Sequence, residues 1–565
     1  MSSLVRFLFW VIVFSFLPDH SNAQALKIPK QFEYPLNIQP RLNANFGEMR
    51  PNHFHMGLDL NTQANENLPV FAPADGFVSR VKIESGGFGR AIYLNHPNGL
   101  TTVYAHMNMF MPKVEKFLEK KQYEQESWKI DLQMPVGLFK VRKGQIIGYS
   151  GNTGASEGPH VHFEIRDTKT ENCLNPLMFG VDMQDHVAPD INQLVFYDYD
   201  KSIYEQLPVM VGLVKKGNTY YPIKKIELPY EKVMIGIVAR DRLDGSANPN
   251  GIFRALLLKE NKPIAGFKLE NISYDFTKNQ SGHIDYMLRS EGGPYVQLMH
   301  RPKYFPLDIY PNEINQPFLR NENIFSGYAI EVSDVHENLA RIEFEVRKSA
   351  VPSFNNVAGQ KMQLGAKNLL RQDNFQIEFP VDAFYDAVHL QVKTKLPTGE
   401  NEISSSYETE PSNIPVNNAF VVKIKPNKDF VKIDTARVVM RKIYKSKVEV
   451  KKAVFSKDGF LASFKELGMY QLIQDLEPPK IVLGIQNGST LKAGSIINVS
   501  VSDNLKSIRS FVARVDGKWI MFTPRGNQYS YRVDEHFPLG EHLLSIVVYD
   551  EAGNQSVQSI KVKRN

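Results

Sequence analysis

His160-Val161-His162-Phe163-Glu164-Ile165 alternates polar and apolar residues one for one. That period of two predicts a strand with one face in a core, because side chains i and i+2 of a strand share a face. His160, His162 and Glu164 then project together, while Val161, Phe163 and Ile165 pack inward. Outward from this stretch the same pattern recurs with glycine turns, in Gly76–Ile83, Arg90–Leu94 and Leu100–Tyr104. Short alternating runs broken by Gly predict a compact antiparallel β domain from about Arg41 to Leu177. One segment departs from the pattern. Val114–Lys129 is rich in Glu, Lys and Gln, with Val114, Phe117 and Leu118 at helical spacing, and predicts a helix inside an insertion at about 112–136.

A second string, His55-Met56-Gly57-Leu58-Asp59, adds candidate ligands. On an extended chain His55 and Asp59 share a face, Leu58 and Leu60 pack inward, and Gly57 lets backbone pass close to a crowded site. Imidazole and carboxylate are the usual ligands of a catalytic zinc, which takes three protein ligands and keeps a position open for water. Cys173 is the one cysteine, so no thiolate cluster competes for a metal. Alone, His-x-His is usually surface decoration and His-x-x-x-Asp recurs by chance. Together in one small β domain they make His55, Asp59, His160 and His162 four candidate ligands, and Tyr104-Ala105-His106 joins them at the end of a strand.

These strings belong to an ordered series. It runs Phe46-Gly47-Glu48-Met49-Arg50, His55-Met56-Gly57-Leu58-Asp59, Val70-Phe71-Ala72-Pro73-Ala74-Asp75-Gly76 and Tyr104-Ala105-His106. It continues through Gly144-Gln145-Ile146-Ile147-Gly148 and Ser150-Gly151-Asn152-Thr153-Gly154 to Gly158–Ile165 and Asn175-Pro176-Leu177. The series resembles the lysostaphin/LytM-type zinc metallopeptidases, whose β fold is also called the duplicated hybrid motif. The resemblance covers residues 41–178, about a quarter of the chain. It implies zinc held by His55, Asp59 and His162, with His160 and His106 catalytic, and a peptide substrate in peptidoglycan. The chemistry is consistent: zinc lowers the pKa of its water to about 7. His160 would serve as general base, and His106 would hold the water or the developing oxyanion. Many relatives have lost ligands; here every position carries the expected residue type. The insertion lengthens the segment between the two catalytic histidines. It reads equally as a wall or lid over the cleft and as a plain surface helix.

Other patterns carry less. Gly154-Ala155-Ser156-Glu157-Gly158 fits a nucleophile elbow but precedes Pro159 and a strand where a helix is required, so a serine hydrolase is rejected. His336-Glu337 begins like a zincin helix, but Ala340 stands where the second histidine belongs. His53 has Gly57 where a partner carboxylate would be, and His96 reads as a hairpin residue. Asp241, Asp244 and Asn248 could hold calcium; their spacing misses the EF-hand pattern, and a solvated turn is the preferred reading.

The whole chain bounds the rest. Its 565 residues, 42% hydrophobic and 23% charged, suit several globular domains. A net charge of +6 without a basic block argues against nucleic acid as a partner. Arg6 precedes the apolar run Phe7–Leu17, then Pro18 and Ser21-Asn22-Ala23, which reads as a cleaved signal peptide over 1–23. A retained anchor is the alternative, but the run is short for a span of ~20 residues. The expectation is export to periplasm or cell surface. A short arm occupies 24–40. After Pro189 the chain stays β-rich. Ala329-Ile330-Glu331-Val332-Ser333-Asp334 with Asn338 is echoed by Ile546-Val547-Val548-Tyr549-Asp550 with Asn554. Both are strand–turn–strand units with Asp and Asn at one offset. Immunoglobulin-like β-sandwiches are expected at 188–350 and 478–565, with a further β domain at 351–477. The fold class is mainly β: a small antiparallel metallopeptidase domain followed by several sandwiches. The expected activity is an exported zinc metalloendopeptidase acting on peptidoglycan. The alternatives are a non-catalytic wall-binding or hydrolase-activating module, or a structural adhesin. The C-terminal domains carry no motif that converts into chemistry; spacer, wall-targeting and protein-docking roles stay open.

Overall fold

The computed structural model describes residues 31–565 except 182, 303–306, 323–325, 350–356 and 428–431. The signal-peptide expectation for 1–23, and the first residues of the arm, fall outside the described residues. The chain is mainly β.

The N-terminal sheet decides where the candidate site lies. Its strands run in the order Leu42–Ala44, Leu58–Asn61, His160–Asp167, Leu100–Ala105, Arg90–Asn95, Gly76–Ile83 and Ile130–Gln133. Every neighbouring pair is antiparallel. Val161, Phe163 and Ile165 are fully buried, as the alternation predicts. Leu58 and Leu60 pack inward beside them. Gly57 is required by space: a Cβ there would lie 2.4 Å from the Phe163 carbonyl oxygen.

The insertion differs from its expectation. The helix spans Pro112–Glu124 and stops short of Lys129. Pro at its first turn suits a helix start. Past its end Glu126 takes a left-handed φ of 47° and reverses the chain. Ile130–Gln133 then pairs with the edge of Gly76–Ile83, Ile130 opposite Ile83. The apolar residues Ile130 and Leu132 thus obey a strand period.

Beyond the N-terminal sheet the strands collect into further sheets. The hairpin Ser326–Ser333 and Leu339–Lys348 lies in a sheet with Arg254–Lys259 and Asp190–Asp198. Residues 360–474 supply two sheets of their own, packed through Phe375, Tyr407 and Tyr470. Residues 480–564 form a two-sheet sandwich around Ile497, Val499, Leu544, Ile546 and Val548.

Two long-range contacts were not legible in the sequence. Asn271–Ile272 pairs with Cys173–Leu174, and the segment after it reaches onto the N-terminal domain. There the Thr277 hydroxyl donates to the Phe54 carbonyl and accepts from its N–H, each at 3.1 Å. At the far end, Tyr123 of the inserted helix stacks on His536 with ring centres 3.7 Å apart, and Glu126 pairs with Arg514. The last sandwich therefore docks on the insertion.

Candidate metal centre and flanking imidazoles

Asp59 lies directly opposite His162 in the antiparallel pair, so their side chains leave the sheet side by side. His55 approaches from the loop before the strand Leu58–Asn61. His55 Nε2, His162 Nδ1 and Asp59 Oδ1 stand 3.0 Å from one another in all three pairings. A tetrahedral ion with bonds of ~2.0–2.1 Å holds its ligand atoms about 3.3 Å apart.

The outer ring nitrogens fix the tautomers. A carbonyl oxygen only accepts, so His55 Nδ1–H donates to Asn45 O at 2.7 Å and leaves Nε2 a bare lone pair. His162 Nε2–H donates to the Glu164 carboxylate at 2.9 Å and leaves Nδ1 bare. Two lone pairs and a carboxylate oxygen converge with no hydrogen bound between them by these tautomers. That donor set fits a divalent transition ion, with outer partners of the kind that orient metal-bound imidazole. With no ion present, burial would lower His162, but the bonds to Asp59 and Glu164 outweigh it and hold it up at about 9, so a bound cation would take the place of a proton on Nδ1. Burial likewise opposes ionisation of Asp59, yet His55, His160 and His162 keep its carboxyl well below the usual range. Its second oxygen accepts from Arg50 Nη2 at 3.2 Å.

Glu164 and Arg166 form the support. Arg166 Nε donates to Glu164 at 2.6 Å, and the guanidinium lies 4.6 Å from the Tyr274 ring centre. Burial raises Glu164, but Arg166 and His162 overcome this and hold it at about 2. Cys173 is buried against the same carboxylate, which together with burial pushes its thiol well up. It is an inert core residue.

The other two histidines face the same point. His160 Nδ1–H donates to Gly158 O at 2.8 Å, leaving Nε2 bare and 3.4 Å from Asp59 Oδ1. His106 Nδ1–H donates to Thr153 O at 2.8 Å, leaving its own Nε2 bare. Its ring centre is 4.7 Å from that of His160. Ala105 pairs with His162, so continued alternation would turn His106 to the opposite face. A left-handed φ of 62° breaks the alternation and returns the ring to the site. Burial, then the nearby His162 and His160, push His106 down to about 3, so it is neutral.

All five residues, His55, Asp59, His106, His160 and His162, border one cleft of about 790 Å³. Phe88 and Tyr274 form part of its wall. Among the described residues nothing from 112–136 borders it, so the insertion does not form its wall. The wall comes instead from Tyr274 and Thr277, far along the chain. His53 sits exposed at the rim, and His96 is buried between Asp75 O and Thr102. Ser156 lies 3.2 Å from His160 Nδ1, but both donate to Gly158 O, so that nitrogen has no lone pair to act as a base toward serine. Asn45, Thr153 and Arg166 escaped the sequence reading. Arg166 carried a signal, since it continues the face of His162 and Glu164; Asn45 and Thr153 act through carbonyls, which every residue has.

The family model for Peptidase family M23 matches residues 53–123 and 139–176. The match breaks over 124–138, so the helix lies mostly within the family pattern and the edge strand after it is the addition. A Zu5-like domain model matches 359–475. An uncharacterized metalloprotease of Haemophilus influenzae is 33% identical over 166 residues, 28% of this chain and 29% of that protein. DD-carboxypeptidase/endopeptidase Mpg of Neisseria meningitidis is 33% identical over 139 residues, 23% of this chain and 26% of that protein. The chain thus spans under a third of these relatives' lengths. The catalytic domain of lysostaphin from Staphylococcus simulans is 25% identical, with 24% of this chain and 87% of that one covered and a TM-score of 0.18. Over residues 53–123 and 139–176, then, this chain carries a domain of Peptidase family M23.

Proposed function

We propose that this chain is an exported zinc metalloendopeptidase that hydrolyses peptide bonds in peptidoglycan. The observation that carries the reading is the triangle of bare donor atoms on His55, Asp59 and His162, faced by two further bare imidazole nitrogens. His55, Asp59 and His162 would hold the zinc. When bound, zinc supplies Lewis-acid polarisation of the scissile carbonyl and acidifies water at neutral pH.

The protein's own groups do the rest. His160 Nε2, with its lone pair free, accepts a proton from the attacking water and passes it to the leaving amine nitrogen. His106 Nε2 is an acceptor while neutral. It therefore orients the water through the second O–H and cannot donate to an oxyanion, which narrows the role expected of it. Glu164 and Arg166 keep His162 in the tautomer that leaves Nδ1 bare. The cleft of about 790 Å³, bordered by Phe88 and Tyr274, would receive the peptide. The Neisseria relative's designation as a DD-carboxypeptidase/endopeptidase supports cross-link or stem-peptide bonds as the target. The leader pattern in 1–23 supports export.

The test is digestion of purified sacculi with the full mature chain, read by mass spectrometry of the released peptides. Cleavage should stop with a chelator and return with zinc, and His162→Ala and His160→Ala should both be inactive. Full activity in His162→Ala would overturn the metal assignment. Binding of sacculi without any released peptide would replace the enzyme by a wall-binding module.

A further inference from the structure

Two places far apart in the chain are built to one plan. Asp185 and Asp475 each stand four residues before a proline, Pro189 and Pro479, that leads into a strand, Asp190–Asp198 and Lys480–Leu483. Asp241 and Asp503 each follow directly on a strand, Lys232–Arg240 and Ile496–Ser502. Asp334 and Asp550 each stand at the end of the first strand of a hairpin, four residues before Asn338 and Asn554.

The hydrogen bonds repeat as well. Asn338 N–H and Nδ2 donate to Asp334 Oδ1 and Oδ2 at 2.9 and 2.7 Å, and Nδ2 reaches the Asp185 carbonyl at 3.0 Å. Asn554 makes the same three bonds, to Asp550 Oδ1 and Oδ2 at 2.8 and 2.9 Å and to the Asp475 carbonyl at 2.9 Å. In each case an asparagine ties an incoming linker to a hairpin carboxylate.

The carboxylates are buried and unfinished. Asp185 is 6% exposed, Asp241 3%, Asp475 1% and Asp550 0%. Asp185 Oδ2, Asp241 Oδ1, Asp475 Oδ2 and Asp503 Oδ1 have no hydrogen-bond partner. Asp475, Asp503 and Asp550 bring ligand oxygens within 4.8 Å of one another; in the first set Asp185 and Asp334 do so together with a ring nitrogen of His336. Asp185, Asp241, Asp334 and His336 border a cavity of about 10 Å³, room for one water-sized particle. Burial, with Asp334 and Asp185 beside it, pushes Asp241 up to about 8, as crowded like charges require. Asp241 was expected in a solvated turn; Asp244 and Asn248 are exposed as that reading has it, but Asp241 turns inward.

We propose that the chain binds two calcium ions, one in the cavity that Asp185, Asp241, Asp334 and His336 border and one at Asp475, Asp503 and Asp550. The donors common to both are carboxylate oxygens, the choice of a hard cation. Calcium accepts irregular oxygen shells, whereas magnesium demands a near-octahedral one and keeps several waters, for which the small first cavity has no room. Each ion sits where the chain enters a new β unit, at Asp190–Asp198 and at Lys480–Leu483, so it fixes that hand-over. The first ion also lies close to the peptidase site in bonding terms. Asp241 bridges Asn250, and the next residue, Gly251, exchanges two hydrogen bonds of 2.7 and 2.8 Å with the Asn45 side chain. The Asn45 carbonyl orients His55.

Equilibrium dialysis of the full-length, zinc-loaded chain against calcium, after EGTA treatment and zinc restoration, tests this. Two calcium ions per chain are expected. Asp241→Asn and Asp503→Asn should each bind one and the double variant none, while Asp244→Asn, in the exposed loop, should keep two. Fewer than two in the wild type, or an unchanged count in the variants, overturns the proposal. Should a variant fail to fold, the wild type decides: its melting temperature must rise with calcium and not with magnesium. An equal response to both ions, or none, overturns the assignment.

Discussion

Glu164 is fully buried and serves both His162 and Arg166. Glu164→Gln keeps the volume and removes the charge. Zinc affinity should fall about 10–100-fold, the usual effect of losing an outer partner, measured by competition with a chromogenic chelator. Arg166 loses its buried ionic partner but keeps Glu171 at 3.1 Å, so urea unfolding should show a cost of about 1–3 kcal/mol. His106 offers a separate test. Asparagine tolerates the left-handed backbone that His106 occupies, so His106→Asn removes the imidazole without straining the turn. A fall in kcat of about 10²–10⁴ is expected with zinc content unchanged. Because His106 is held at about 3, it does not titrate in the working range, and the acid limb of the pH–rate profile should keep its position. These residues differ in how legible they were. His55, Asp59, His160 and His162 announce themselves by type and spacing. Asn45 does not, because it acts through a backbone carbonyl and a contact 206 residues away.

Strand alternation was the most readable element, because a buried face on a sheet forces a period of two onto the sequence. The insertion was misread at its end, since Glu, Lys and Gln favour a helix locally while Ile130 and Leu132 answer to the neighbouring sheet edge. The segment 271–290 gave no signal, because its placement against Phe54 is decided wholly by tertiary contact. Here a pH effect follows. His283 lies in this segment, with its ring 5.9 Å from Phe54 and 4.5 Å from Phe267. Burial pushes it down to about 3, and burial likewise pushes His300 down to about 4. A histidine depressed in the fold binds fewer protons there than when unfolded. Its stabilising contribution is complete above about pH 6.5 and is lost as pH falls toward those lower values. Melting temperature should therefore drop between pH 6.5 and 4, and the drop should be shallower in His283→Gln. Parallel curves for the two proteins would show that His283 does not carry the effect.

Across the whole molecule, the last sandwich meets the peptidase domain through Tyr123, His536, Glu126 and Arg514. The stacked pair contributes about 0.5–1.5 kcal/mol beyond its buried area. Tyr123→Ala with Arg514→Ala should loosen the 478–565 unit, which Lys452 still ties to the Ala552 carbonyl, and this should show as faster proteolysis of that unit with sacculus digestion unchanged. Unaltered proteolysis would show that the contact holds nothing. No pattern in the sequence pointed to this contact, since its partners are 388 residues apart at Glu126 and Arg514. Loop length is a weak obstacle to such a meeting: each doubling adds only about 0.6 kcal/mol to the cost of closure. The outcome is a closed circuit: the last sandwich is tied to the peptidase domain through the Tyr123 contact as well as along the chain, whose middle is itself held to that domain by Asn271–Ile272 and Gly251. A single backbone cut between Glu126 and Arg514 opens the circuit without dividing the particle. Nicked protein should therefore run as two bands on a denaturing gel and as one peak on gel filtration.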